Sequence, residues 1–441
     1  MSKGLCNLAK SEDSWREQCV VPSDKEGIFM SFEVANNIFT INLDGVWTTA
    51  LAAILLMIGY GLRRRIRFFE VFCIPAPVIG GVLMSLIALV LHHQGGGALK
   101  FNTALQSPMM IAFFTTVGIG GSFGLLKKGG KALIVYLVFC WGLAVFQNAF
   151  GAGLAKMLGI HPALGIMAGA VSLEGGHGAA AAFGPMAEEL GVAGAKVVAI
   201  AAATYGLIAG GLLGGPLAKW LIDRHNVDIK ASKEEIYIQP TAQDIEEEEN
   251  LFSSFDFLKM LALVLVMMAL GSFLSGKIKE WYNFSLPGYV GAMFVAVVFR
   301  NINDHFPLVK IRSKAIDLIS DVSLGLFLTM AMMSLRIWEL YDLAVPLIII
   351  LALQTVAIFL LGAFLLFPLL GKDYDAAVMC AGFMGHGLGA TPNAVANMGA
   401  VCERYKVMSH KAFLIVPLCG AVLIDLVGLP NIVWFINYLT K

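Results

Sequence analysis

The chain has 441 residues, 58% hydrophobic and 14% charged, with a mean hydropathy of +0.77 and a formal net charge of zero. Soluble domains carry about 25% charged residues, so this composition excludes a water-soluble protein and points to an integral membrane one. The balanced charge gives no sign of a nucleic-acid partner. The seven cysteines show neither CxxC nor Cys/His spacing, which leaves out zinc and redox motifs.

Residues 1–44 read as a polar, extracytoplasmic tail with no apolar core, so they are not a secretory signal. A Cys6–Cys19 bridge requires that location; the plainer readings are a disordered tail, or translation starting at Met30. Apolar segments follow at 45–62, 74–92, 108–126, 132–158 and 196–222, with a weaker, glycine-interrupted one at about 162–190. A helix needs roughly 20 residues to cross a hydrocarbon core of about 30 Å, and continuous apolar runs rather than alternation exclude a barrel. Cys73, Cys140, Cys380 and Cys419 lie in apolar segments and read as packing residues. The stretch 223–254 is polar and acidic, with a glutamate run at 246–249, and reads as a cytoplasmic linker.

After the linker the pattern restarts at 255–275, 286–303, 315–335, 343–370, an interrupted 374–402, and 412–439. "IRFFEVFCIP" (66–75) aligns with "IKEWYNFSLP" (278–287), pairing Phe72 with Phe284 and Pro75 with Pro287. Gln147 falls opposite Gln354, "GGHG" (175–178) opposite "MGHG" (384–387), and Gly206, Gly214, Pro216 and Trp220 opposite Gly420, Gly428, Pro430 and Trp434. An ordered series of matches implies two related halves, 45–222 and 255–441.

Each half thus has five spans and one broken segment. If the broken segment enters and leaves on one side, the halves are inverted, and basic residues should cluster on the cytoplasmic side. With "RRRIR" (63–67) inside, so are Lys127, Lys128, Lys131, Lys219, Arg224, Lys230, Lys233, Lys259, Arg300, Lys310, Arg312, Lys314, Lys372, Arg404, Lys406 and Lys411, most of the 31 basic residues. Both termini are then extracytoplasmic. The expected fold is an all-α membrane protein of two inverted repeats, each with five transmembrane helices and one re-entrant hairpin, the two tips meeting near the bilayer midplane.

Non-helical backbone at that depth must be buried or line a wet cavity, and a broken helix offers N–H groups to carboxylates and carbonyls to Na⁺. "SLEGGHG" (172–178) and "GHGLGATPNAVANM" (385–398) therefore read as two halves of a binding site, with Ser172, Glu174, Gly175, Gly176, His177 and Gly178 in one. Gly385, His386, Gly387, Gly389, Thr391, Pro392, Asn393 and Asn397 form the other, Pro392 breaking the helix. The competing reading is a glycine-rich packing contact, which calls for neither Glu174 nor His177. Glu174 reads as a cation ligand or proton carrier, or else as a protonated or paired structural acid. His177 and His386 occupy matching places and suit hydrogen bonding within the turns. Asp425, mid-span, suits an ion or substrate role, whereas Asp321 either joins the site or reaches cytoplasmic water. Gln147 and Gln354 read as helix–helix hydrogen-bonding residues, and Arg336 as a snorkelling one.

At "AGFMGHGLGATPNAVANMGAV" the chain resembles the bacterial sodium:glutamate symporter family, and "IPAPVIGGVL", "GGHG", "GGLLGGP" and "VSLGLFLTMAMMSL" fit it too. The resemblance runs from about residue 30 to the end. It implies ten spans, two re-entrant loops, a homodimer in the bacterial inner membrane, and glutamate uptake with Na⁺ as the coupling ion and no cofactor. It carries site roles to Gly175, Gly176, His177, Gly178, Gly385, Gly387, Gly389, Thr391, Pro392, Asn397 and Asp425. Departures are Glu174 for a usual Ser, Ala179 for Thr, Asn393 for Thr, and Asp321 for an amide. Added acids disfavour a substrate with two carboxylates unless cations or protons neutralise them. The Na⁺ site is expected among loop carbonyls, Glu174 and Asp425. The alternatives are a Na⁺- or H⁺-coupled symporter of another amino acid or organic anion, and, from a different class, a channel. With no HExxH, paired-Asp or GxSG motif, an intramembrane enzyme is not expected.

Overall fold

A computed structural model describes residues 7–11, 14–18, 30–35, 38–71, 74–93, 97–229, 253–282 and 286–440. Cys6, Cys19, Phe72, Cys73, Phe284 and most of the acidic linker lie outside these residues.

Strands β1 (Asn7–Ser11) and β2 (Ser14–Gln18) pair antiparallel. β3 (Met30–Ala35) and β4 (Ile38–Leu43) do the same, and β4 also pairs in parallel with β5 (Gly97–Phe101). Composition alone reads this tail as polar. The period-two placement of Phe32 and Val34, then of Phe39, Ile41 and Leu43, is the strand signal it contains.

The rest is helical. α1 (Gly45–Arg65) starts where the Asp44 carboxylate accepts from the Trp47 N–H at 2.8 Å and ends on Arg63, Arg64 and Arg65, whose charges suit the carbonyl end of a helix. The first half continues through α2 (Arg67–Val71), α3 (Ala76–His93), α4 (Gln106–Gly120) and α5 (Gly124–Met157). Short pieces α6 (Pro162–Met167), α7 (Ala170–Leu173) and α8 (Gly176–Glu189) precede the long α9 (Ala195–His225). The second half has α10 (Ser254–Tyr282), α11 (Gly288–His305), α12 (Ser313–Met333) and α13 (Ala344–Leu361), the last continued by a π turn at Gly362–Leu366. Then come α14 (Tyr374–Leu388), α15 (Thr391–Tyr405), α16 (His410–Leu418), a π turn at Cys419–Leu423, and α17 (Asp425–Leu439).

Among the described residues, seven helices are long and apolar enough to cross a membrane. Three expected spans are not among them. α4 has only 15 residues, α11 carries Arg300 and Asp304 in its last turns, and the π turn divides α16 from α17.

The helices sort into two groups by what they touch. α1, α3, α4, α10, α11 and α12 pack on one another, and α5 to α9 pack with α13 to α17. Glycines set the closest approaches in the first group. Gly59 of α1 lies against Ala76 and Gly80 of α3, and Gly271 of α10 against Gly291 and Ala292 of α11, neither leaving room for a side chain. Without a hydrophobic drive between helices in lipid, such contacts supply the dispersion that holds them together. The same packing device thus recurs in both halves.

Candidate functional site

The first broken segment is built on α5. Pro162 occupies the first turn of α6, where its missing N–H costs nothing. The segment then runs back along α5, with Gly165 against Gly151 and Gly169 against the Gln147 carbonyl. Asn148 Oδ1 accepts from the Ala170 N–H at 3.1 Å. The chain reverses through Glu174 and Gly175 to Gly176, whose φ of 58° is a left-handed conformation that favours glycine. α8 leaves along α9: His177 Nε2 is hydrogen-bonded to Thr204 Oγ1 at 3.0 Å, Gly184 lies against Lys196, and Glu188 Oε1 accepts from the Lys196 N–H at 2.9 Å.

The second broken segment folds on itself. Gly385 of α14 lies against Ala394 of α15 and Gly382 against Met398, and the Tyr374 hydroxyl donates to the Val407 carbonyl at 2.7 Å. The break is at Gly389 and Ala390, both outside the helical region and Ala390 fully extended, and Pro392 sits in the first turn of α15. Pro392 therefore starts the second arm rather than breaking a helix. α14 packs on the C-terminal half of α9, with Leu388 at Gly206, Met384 at Gly210 and Ala381 at Gly214. α8 takes the N-terminal half. The two segments thus approach from opposite ends of α9, and their turns meet beside Thr204 and Gly206. There a Cβ on Gly176 would lie 3.2 Å from the Gly389 carbonyl oxygen.

A cavity of about 290 Å³ opens at this meeting point. Glu174, Gly175, Gly176, His177, Gly178, Gly389, Thr391, Pro392 and Asp425 line it, all from the group of α5–α9 and α13–α17. The opposite wall is Pro75, Phe113, Phe114, Val117, Leu324 and Leu328, all from the other group and all apolar. Every polar side chain of the cavity therefore belongs to one group, and none of the lining residues is Lys or Arg. The first turn of α8 and that of α15 both open on the cavity, and first-turn N–H groups lack intrahelical partners. One Glu174 carboxylate oxygen is buried with no hydrogen-bond partner among the described residues. The site thus combines two carboxylates, a hydroxyl, a freed carbonyl and helix N-termini. That donor set suits a cation beside a carboxylate-bearing solute.

Seven of the residues singled out from sequence lie elsewhere. Ser172 donates to the carbonyls of Met167 and Ala199, inside the packing. Gly385 is covered by Ala394. His386 is hydrogen-bonded through Nε2 to the Tyr136 hydroxyl at 2.7 Å. The Gly387 carbonyl is occupied by Gln147 Nε2 at 2.8 Å. Asn393 and Asn397 donate to α9, at the carbonyls of Leu207 (2.7 Å) and Gly210 (2.8 Å). These two amides hold the second segment to its support. Asp321 is exposed, one turn before Leu324 on the stripe of α12 that reaches the cavity at Leu324 and Leu328. Sequence reading missed the apolar wall and Gly420. Pro75 carried a signal, as the partner of Pro287 in the repeat; the phenylalanines and leucines carried none, since apolar residues abound throughout.

Residues 41–407 match the family model described as sodium/glutamate symporter. The sodium/glutamate symporter of Haemophilus influenzae is 40% identical over 382 residues, 86% of this chain and 94% of that protein. The sodium/glutamate symporter of Escherichia coli K12 is 38% identical over 388 residues, 88% of this chain and 96% of that protein.

Proposed function

The chain belongs to the sodium/glutamate symporter family, and from that premise we propose how its cavity carries out Na⁺-coupled glutamate transport. The protein is a multi-pass membrane transporter rather than an enzyme. The observation that carries the reading is the meeting of the two broken segments at a cavity that holds Glu174, Thr391 and Asp425.

The broken segments are re-entrant, one from each face of the bilayer, and they belong to inverted repeats over 45–222 and 255–441 in a ten-span chain with extracytoplasmic termini and a cytoplasmic linker at 223–254. Their approach from opposite ends of α9 and the recurrence of the Gly59–Gly80 contact as Gly271–Gly291 support this. Substrate carboxylates meet the first turns of α8 and α15 and the Thr391 hydroxyl. Na⁺ takes the Gly389 carbonyl with carboxylate oxygen of Glu174 and Asp425. Its charge offsets the repulsion between these acids and the substrate, so solute and cation bind together. Each monovalent cation that crosses with a potential of 100 mV gains about 2.3 kcal/mol, which drives accumulation.

The group that carries both broken segments moves, and α1, α3, α4 and α10–α12 stay. A polar site on one side and an apolar wall on the other suit a wall that slides past without breaking hydrogen bonds at the cavity. The protein works in the bacterial inner membrane as a homodimer. Two acids and no Lys or Arg in the cavity favour one further reading, H⁺ as a co-driving ion. Labelled L-glutamate uptake into liposomes, with and without an inward Na⁺ gradient, tests the assignment. Saturable accumulation against a gradient supports it, and a passive conductance sinks it.

A further inference from the structure

A second cavity, outside the site, lies open along the side of the molecule between α5 and α13. It is a cleft of about 570 Å³, lined only by apolar residues and Gly142, among them Ile134, Val138, Phe146, Leu361 and Leu369. The two helices are tied where Gln354 Nε2 donates to the Gln147 carbonyl at 2.7 Å. The cleft begins beside that tie, at Phe146, and runs to Ile134 and Leu369. At 1.5 Å per residue it is about 18 Å long, more than half of a hydrocarbon core of about 30 Å. Space is left for it by Gly142, around which a Cβ would meet nothing within 4 Å, and by the π turn of Gly362–Leu366.

The far end of the cleft is basic. Lys131 lies one turn before Ile134 and Lys372 three residues after Leu369. Both are exposed, and no ion pair engages either among the described residues. The neighbouring acid, Asp373, is turned to capping α14, accepting from the Ala376 N–H at 2.7 Å.

We propose that this cleft is a binding site for an anionic phospholipid, with one acyl chain between α5 and α13 and the phosphate at Lys131 and Lys372. An apolar slot within the bilayer is filled by acyl chain, and a pair of lysines at its mouth selects a negative headgroup. The site is not remote from transport. Leu143 lines the cleft and packs on Gly387, and Phe139 lines it and meets the ring of Phe383 edge-on at 5.4 Å between centroids. Bound lipid thus braces the arm of the second broken segment that leads to Gly389.

The test is native mass spectrometry of the purified full chain, titrated with phosphatidylglycerol and with phosphatidylcholine. The wild type should retain a first lipid with preference for phosphatidylglycerol. Gly142→Phe, which fills the cleft, should weaken that lipid about tenfold, and Lys131→Gln with Lys372→Gln should remove the preference while leaving phosphatidylcholine bound. If Gly142→Phe does not fold, Val138→Trp at an exposed position gives the same reading. Unchanged lipid affinity in the filled cleft, or an undiminished preference in the double variant, overturns the proposal. Complete copy-to-copy cross-linking through Val138→Cys in native membranes also overturns it, in favour of a second copy of this chain on that face.

Discussion

Gln354 donates its side-chain amide to the backbone carbonyl of Gln147 at 2.7 Å, while the Gln147 side chain donates to the Gly387 carbonyl at 2.8 Å. The two glutamines, matched between the halves of the sequence, thus form a relay into the last turn of α14. That turn has carbonyls without intrahelical donors, and both glutamines are fully buried. Gln147→Leu strands the Gly387 carbonyl, at a cost of about 1–3 kcal/mol. Thermal unfolding in detergent should fall by several degrees and glutamate uptake should drop with it. Wild-type behaviour in both would show that the relay does not hold the break.

Gly176 has a φ of 58° and faces the Gly389 carbonyl. For an L-residue this conformation costs about 1–2 kcal/mol, and the added methyl would push on the carbonyl assigned to Na⁺. Gly176→Ala should therefore raise the Na⁺ concentration needed for half-maximal uptake while the protein still folds. Loss of folding with unaltered Na⁺ dependence in the surviving fraction would assign Gly176 a purely structural part.

Glu174 presents a buried, unpartnered carboxylate oxygen to the cavity. Replacement by Gln keeps the shape and removes the charge, so cation dependence should weaken or the coupled ion change, with glutamate still competing. Replacement by Ser should act in the same direction. Uptake in proteoliposomes across a series of Na⁺ concentrations and external pH values decides; superimposable curves would remove Glu174 from the ion site.

Lys196 Nζ of α9 donates to Ser334 Oγ, just past α12, at 2.8 Å. This contact joins the two helix groups. If one group slides against the other, the bond must break in each cycle. A Lys196→Cys, Ser334→Cys pair, cross-linked in a background whose native cysteines are replaced, should stop transport, and reduction should restore it. Full activity while cross-linked would contradict relative motion at this point.

Much of this is legible in the sequence itself. The helical classes, the two broken segments and the positions of Glu174, Gly176, Thr391 and Asp425 followed from glycine and ionisable residues in apolar surroundings, which are rare enough to be informative. What sequence could not separate were polar residues that face a cavity from those that face a neighbouring helix. Asn393 and Asn397 stand in the same stretch as Thr391, yet both are consumed by carbonyls of α9. The face of α15 that turns toward α9 meets Leu207, Gly210 and Gly214, more than 170 residues earlier in the chain, and no local pattern conveys that. The strands at 30–43 were hidden for another reason, because their pairing with Gly97–Phe101 bridges a whole helical hairpin.

The most direct measurement is equilibrium binding of labelled L-glutamate to the purified protein in Na⁺ and in K⁺, for the wild type, Thr391→Val and Asp425→Asn. Saturable binding in Na⁺ alone, weakened at least about tenfold in both variants with unfolding temperatures unchanged, is the predicted result. Equal binding in the two salts, or wild-type affinity in both variants, would mean that the cavity between the two turns is not where solute and cation meet.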